Sequence, residues 1–527
     1  MVRKVLYVLG GLLGVLTIVV LAFLLYFGYL ENNQSRFVGP VEVGEPLPAA
    51  LVSDLEKYVV REMGYSDVPG VAMVLVQGGQ IVYQQGLGVR DLQSKEPVTM
   101  ETLFGIGSST KPMTAVMMAA LVDEGVFDWD TPVTEIMPDF ALANEELTEK
   151  VSMAHTLCMC TGVPRRVEEI SVQYSEMAAE DIVTSLASLP LSGSFEQDYD
   201  YSSRMVAAGG YIAGMAAGGE YGALAQAYER QMAEKILEPL DMPRSTFSID
   251  QAVNSGNYAT PYYSALSWYE AIPPEIEGIF TPIEPAGALW SNTEEMAKFL
   301  IMLLNEGVSA QGQRIISAEN LAYLWKERIN IDDKIDYGLG WNIEDYHGLQ
   351  VFHHPGGTVG FTSELVIIPE LDIGFALLTN RLNQVRPIGR MATYRLLEML
   401  TGREQVYDQE VRKYDREIKQ QVFSLALITR KKVNPDEVAP YLGKYHNEVL
   451  GGVELIQDED NSLLVDFGEY ASEIRPLVIE DNQYIFFESV FVGKTVTLSQ
   501  LPTGRVTMSW AGDEGTYTFT PVGRLDN

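Results

Sequence analysis

Gly107-Ser108-Ser109-Thr110-Lys111-Pro112 decides the reading of this chain, because it puts a hydroxyl nucleophile and an amine three residues apart where a helix begins. From Met113 the sequence continues through good helix formers, Thr-Ala-Val-Met-Met-Ala-Ala-Leu-Val-Asp-Glu, and closes on Gly125, the pattern of a buried helix. Residues three apart share a helix face, so the Lys111 amine is in reach of the Ser108 oxygen. A serine hydroxyl needs a neighbour to take its proton, and a lysine serves once burial and the helix N-terminus weaken its hold on its own. On its own a Ser-x-x-Lys spacing is weak, since serine is a common helix cap.

The flanking sequence adds a frame. Val68-Pro-Gly-Val-Ala-Met-Val-Leu-Val76 reads as a buried strand, Gly78-Gly79 as a tight turn and Gln80-Ile-Val-Tyr-Gln-Gln85 as the returning strand. Gly86-Leu-Gly-Val-Arg-Asp91 and Thr102-Leu-Phe-Gly-Ile-Gly107 then lead to the serine. A second hairpin is expected over Phe361 to Asn380, turning at Pro369-Glu-Leu-Asp372, and a core-packing helix over Thr293 to Leu304.

This run resembles the opening of the serine β-lactamase and penicillin-binding-protein superfamily, in particular its class C-related branch, over roughly residues 46 to 400. Two further motifs carry the resemblance. Tyr201-Ser202-Ser203 is similar to the family's Tyr-x-Asn element, with serine in place of asparagine, and His354-Pro355-Gly356-Gly357 is similar to the His-x-Gly form of its third motif. The resemblance implies Ser108 as nucleophile, Lys111 and Tyr201 as an acid/base pair, and His354 as a residue that orients the substrate or its carboxylate. It implies that Ser203 is a shortened substrate-binding arm, and that Gly356 and Gly357 lie against the substrate, with the N–H groups of Gly357 and Ser108 as an oxyanion hole. Pro285-Ala-Gly-Ala-Leu-Trp-Ser291 resembles the family's Gly-rich turn before a helix.

Departures matter too. The chain has no Lys-Thr-Gly or Ser-Asp-Asn triplet, and Met159-Cys160-Thr161-Gly162 stands where relatives often read His-Thr-Ser-Gly. An ester or short peptide, including one with D-amino acids, is therefore better supported than efficient penicillin hydrolysis.

Arg3 and Lys4 precede an uncharged apolar run over residues 5–30, about 39 Å long as a helix and enough to cross a bilayer core. With no clear cleavage site it reads as a signal anchor, which places the enzyme body outside the cytoplasm at the cell membrane. Residues 31–47, with Asn, Gln, Ser, Gly and Pro, read as a tether.

The net charge of −35 argues against nucleic acid as a partner, with Arg430-Lys431-Lys432 as the short basic exception. Cys158 and Cys160 are the two cysteines, too few for a disulfide framework or a zinc site, which leaves buried thiols or a local bridge. The implied chemistry needs no cofactor and no metal.

After a charged helical linker over 403–437, the pattern changes over 438–527 to short alternating strands. Six are marked: 453–456, 462–465, 484–487, 495–498, 505–508 and 516–519. They resemble the lipocalin-like β domain appended to some relatives, which could bind an apolar group, shape access to Ser108 or drive self-association. The expected fold is α+β, a β-lactamase/transpeptidase-like domain over 48–402, with an antiparallel sheet between helices and an all-helical region, followed by a small barrel. The expected function is a membrane-anchored serine hydrolase acting through a Ser108 acyl-enzyme. Its rival is a catalytically silent scaffold that binds cell-wall fragments or protein partners.

Overall fold

The computed structural model describes residues 40–522, apart from 266–267, 384, 469, 479–481, 487–490, 492, 503–505 and 513–514. The apolar run 5–30 and most of the tether lie outside the described residues. Among the described residues no helix is long and apolar enough to cross a membrane.

Helix α1 (Ala49–Ser66) leads into strands β1 (Gly70–Gln77) and β2 (Gln80–Gly88), joined by Gly78 and Gly79. Both glycines have φ above +60°, as a two-residue turn that follows the strand twist demands. Helix α2 (Thr110–Asp123) follows a single 3₁₀ turn at Gly107–Ser109. Next come α3 (Val167–Gln173), α4 (Ser203–Ala216) and α5 (Thr293–Leu304), the last with the bounds expected and capped by Asn292, whose side chain accepts from Glu295 N. Strands β3 (Ile329–Asn330), β4 (Ile335–Tyr337), β5 (Asn342–Tyr346), β6 (Leu349–Gly357), β7 (Thr362–Ile368) and β8 (Ile373–Thr379) complete an eight-stranded antiparallel sheet. Its order is β2-β1-β8-β7-β6-β5-β4-β3.

Both faces of this sheet are covered, which explains why β1 reads as an unbroken apolar run. Val71, Met73 and Leu75 pack with α1 and with α6 (Ile388–Leu400), while Ala72, Val74 and Val76 face α2, α5 and the helical region. Helix α7 (Tyr407–Ile428) falls within the stretch read as a helical linker and is held by Asp415 to Arg386, which also pairs with buried Glu62.

The C-terminal region is a closed barrel of eight antiparallel strands between Gly443 and Pro521. Two strands escaped the sequence reading, Gly443–Asn447 and Ala471–Pro476. Phe467, Phe486, Phe491, Trp510 and Phe519 fill the interior, with Trp510 and Phe519 centroids 4.3 Å apart. The barrel rests on α3: Lys494 pairs with Glu168, Gln173 Nε2 donates to Val449 O at 3.2 Å, and Val172 is buried within the barrel's own apolar cluster.

Candidate active site

Gly107 has φ +52°, and a Cβ there would fall 2.7 Å from Gly357 N; one on Gly356 would fall 2.0 Å from Ile106 O. Glycine at these positions lets strand β6 lie directly against the turn that carries Ser108. The clamp is reinforced by hydroxyls that the sequence reading did not single out. Ser109 Oγ donates to His354 O at 3.0 Å and lies 2.7 Å from Ser363 Oγ, which in turn donates to Ile106 O at 2.6 Å. Gly357, itself exposed, thus lies against the nucleophile's turn.

Ser108, Lys111 and Tyr201 come together. Lys111 Nζ donates to Ser108 Oγ at 2.9 Å and to Ala286 O at 2.7 Å, and Tyr201 OH donates to the same serine oxygen at 2.9 Å. Ala286 belongs to the Gly-rich turn, whose Pro285 O also accepts from Thr114 Oγ1 on α2 at 2.7 Å. That turn therefore anchors the base. Lys111 is fully buried, and burial pushes its amine below the ordinary lysine range. The Tyr201 phenol, whose ring centroid lies 4.8 Å from Nζ, works against that shift, while the Arg165 guanidinium adds to it.

Ser202 caps α4, its hydroxyl accepting from Met205 N at 3.4 Å and donating to Pro164 O at 3.3 Å. This fixes Tyr201 just outside the helix start. Ser203 is the first residue of α4, and its hydroxyl makes no hydrogen bond among the described residues, so it stays free near the site without the reach of an asparagine.

His354 lies on strand β6 beside the Tyr201 ring, with its ring nitrogens engaged within the protein. Its Nδ1–H donates to Pro355 O at 2.7 Å, which leaves Nε2 to accept from Tyr337 OH at 3.1 Å. The ring is 2% exposed, and burial, with Lys111 and His353 adding to it, pushes its pKa down to about 3. A neutral imidazole with both nitrogens engaged neither moves a proton to Ser108 nor holds a carboxylate; it props β6 and the Tyr201 ring, 6.4 Å away between centroids. His354 is accordingly expected to remain neutral throughout pH 5–8. NMR on histidine-labelled protein, with five histidines to assign, checks this; a His354 midpoint inside that window would contradict it.

Sequence reading also missed Glu277. Its Oε1 accepts from Thr358 Oγ1 at 3.1 Å and Gly360 N at 2.8 Å, building the turn after Gly357, and burial pushes its pKa up to about 7. Cys158 and Cys160 form a disulfide, the local bridge among the alternatives left open. Among the described residues no cluster of three or more potential ligands could hold a metal.

The chain is similar to unguisins hydrolase ungD′ of Aspergillus campestris, at 27% identity over 80% of both chains. It is 24% identical to penicillin-binding protein 4 of Amycolatopsis lactamdurans, over 59% of this chain and 81% of that one. The octameric penicillin-binding protein homologue from Pyrococcus abyssi shares the fold, with a TM-score of 0.59 at 22% identity over 89% of this chain and 99% of that one. The family profile described as Beta-lactamase matches residues 55–399, well over half of the sequence. The chain therefore belongs to the Beta-lactamase family, as one of its serine hydrolases.

Proposed function

We propose that this chain hydrolyses an ester or amide, a small acyl ester or a short peptide with or without D-amino acids, through an acyl-enzyme on Ser108. The observation that carries the reading is the convergence of Lys111 Nζ and Tyr201 OH on one serine oxygen, each at 2.9 Å. With Lys111 neutral, its lone pair takes the Ser108 proton as Oγ attacks the carbonyl carbon. The N–H groups of Ser108 and Gly357 face the oxygen on which charge develops. Tyr201, in contact with the lysine, passes a proton to the departing oxygen or nitrogen as its bond to carbon breaks. Water then attacks the acyl carbon, gives up its proton to the same pair, and the acid leaves as Ser108 recovers its hydrogen.

The named hydrolase relatives support this reading, and the short arm at Ser203 supports a substrate that does not depend on a held amide. The apolar run 5–30 supports anchoring at the cell membrane with the catalytic domain outside the cytoplasm. The scaffold reading leans on the lost asparagine, but it gives no reason for a buried, deprotonatable lysine beside a serine.

The test is intact-mass and peptide mapping of the full chain mixed with an activated acyl ester. An adduct on Ser108 that decays as acid is released is the expected result. A folded chain that never acylates would instead make the scaffold the better account.

A further inference from the structure

Both cysteines of the chain flank one residue, Met159, in the stretch that stands where relatives often read His-Thr-Ser-Gly. The Cys158–Cys160 disulfide closes a ring around it, and Met159 takes φ +55°, a left-handed backbone that residues other than glycine seldom adopt. Both of its acceptors are used on one segment: the carbonyl oxygen takes the Asp200 N–H at 2.9 Å, and Sδ takes the Ser202 N–H at 3.1 Å. The residue between these two donors is Tyr201, whose phenol donates to Ser108 Oγ. The turn is itself tied down on each side, with Leu157 O accepting from Gly340 N at 3.3 Å and Cys160 O from Glu196 N at 2.7 Å. Met159 and Ser202 are both buried, so a Ser202 N–H that lost its sulfur would be left unpaired in the interior. A methionine ordinarily serves a core by its shape, and its thioether is a weak acceptor; this one spends that acceptor beside the reaction centre.

We propose that Met159 is a positioning residue for Tyr201, and that the Cys158–Cys160 bridge keeps it in that role. The reason is geometric. The phenol reaches Ser108 Oγ from the end of a long side chain, so a small turn of the backbone at residue 201 becomes a larger displacement of the hydroxyl. Bonds from Met159 to the residues before and after Tyr201 remove that freedom, and the Ser202 hydroxyl on Pro164 O adds a third tie. An uncommon backbone conformation kept next to a reacting group fits such a duty, since the surroundings must hold it there. What the clamp governs is proton delivery to the departing atom rather than substrate affinity. Its release therefore costs most when the departing oxygen is basic and leaves only with a proton.

This inference rests on the Ser108 acyl-enzyme reading, and its experiment separates the two. The full-length chain is assayed with phenyl acetate and with 4-nitrophenyl acetate, which share the acetyl group; phenoxide is the more basic departing oxygen and gains more from a delivered proton. The quantity read is the ratio of kcat/KM, phenyl over 4-nitrophenyl, in the parent and in Met159→Leu, Met159→Gln and the double variant Cys158→Ala/Cys160→Ala. Met159→Leu keeps the volume and removes the acceptor. Its ratio is expected to fall about tenfold, part of the usual worth of a general acid. Met159→Gln restores an acceptor on an unbranched arm and returns the ratio toward that of the parent. The double variant, which opens the ring, falls with Met159→Leu. A methionine that merely fills space would change both esters alike and leave the ratio where it was, which overturns the proposal; a parental ratio in the double variant overturns the bridge's share in it. Should Met159→Leu not fold, the double variant decides by the same ratio. Turnover of both esters with an unmoved ratio sinks this inference and leaves the hydrolase standing; no turnover and no Ser108 adduct with either ester overturns both.

Discussion

Ser108→Ala lowers kcat on any turned-over ester by on the order of 10⁴-fold or more, while unfolding free energy changes by about 1 kcal/mol or less. The two halves of that result have separate causes. Activity depends on an oxygen that can form the acyl bond, and none of the neighbouring hydroxyls can replace it: Ser109 is buried and committed to His354 O and Ser363. Stability depends little on this oxygen, because Ser108 is half-buried and the amine above it keeps its bond to Ala286 O at 2.7 Å. Progress curves and a urea melt on the same preparation check both halves. Activity close to that of the parent would remove Ser108 from the mechanism; an unfolded variant would show that the hydroxyl holds the turn together.

Lys111→Met is expected to cost about 10²- to 10⁴-fold in kcat, the usual worth of a general base, and to alter how stability depends on pH. In the unfolded chain the amine titrates near the ordinary lysine value of 10.5; in the folded protein burial holds it lower. Between those two values the unfolded state binds more protons, so unfolding free energy rises with pH across the window and the buried amine is a net cost below it. The methionine variant lacks this term. Its urea midpoint relative to the parent is therefore highest below the lowered lysine value and declines toward pH 10.5. Parent activity follows the opposite arm of the same equilibrium, falling as pH drops through the lowered lysine value and the base takes up a proton. A difference between parent and variant that is flat with pH would mean that Lys111 is not held low.

Much of this was legible in the residues. Ser108 and Lys111 announce themselves by spacing at a helix start, and the hairpins at Gly78-Gly79 and Pro369–Leu371 by their turn chemistry. Tyr201 was reached through resemblance, since one tyrosine among 27 carries no mark of its own. Other parts left no trace in the sequence. The acceptor that holds the base is a backbone carbonyl, Ala286 O, and carbonyls are the same under every side chain. The contacts of His354 are decided by Tyr337, a residue on another strand whose hydroxyl engages the ring nitrogen. In the barrel, Gly443–Asn447 and Ala471–Pro476 were overlooked because glycine, lysine, histidine, glutamate and arginine dilute their alternation; closure of the barrel, which pairs Tyr445 with Pro521, supplies what local pattern did not.

Adjacent glutamates on α3 are committed to different domains: Glu168 to Lys494 of the barrel, and Glu169 to Arg204, which follows the Tyr201 motif on α4 at 2.9 Å. Val172, one turn on, is buried among barrel side chains. One short helix is thus packed and paired on two sides at once. A barrel exchanged at the linker would arrive without a match for Glu168 and Val172. Substituting Glu168 or Val172 therefore disturbs the seat of the barrel as well as the helix that holds Arg204.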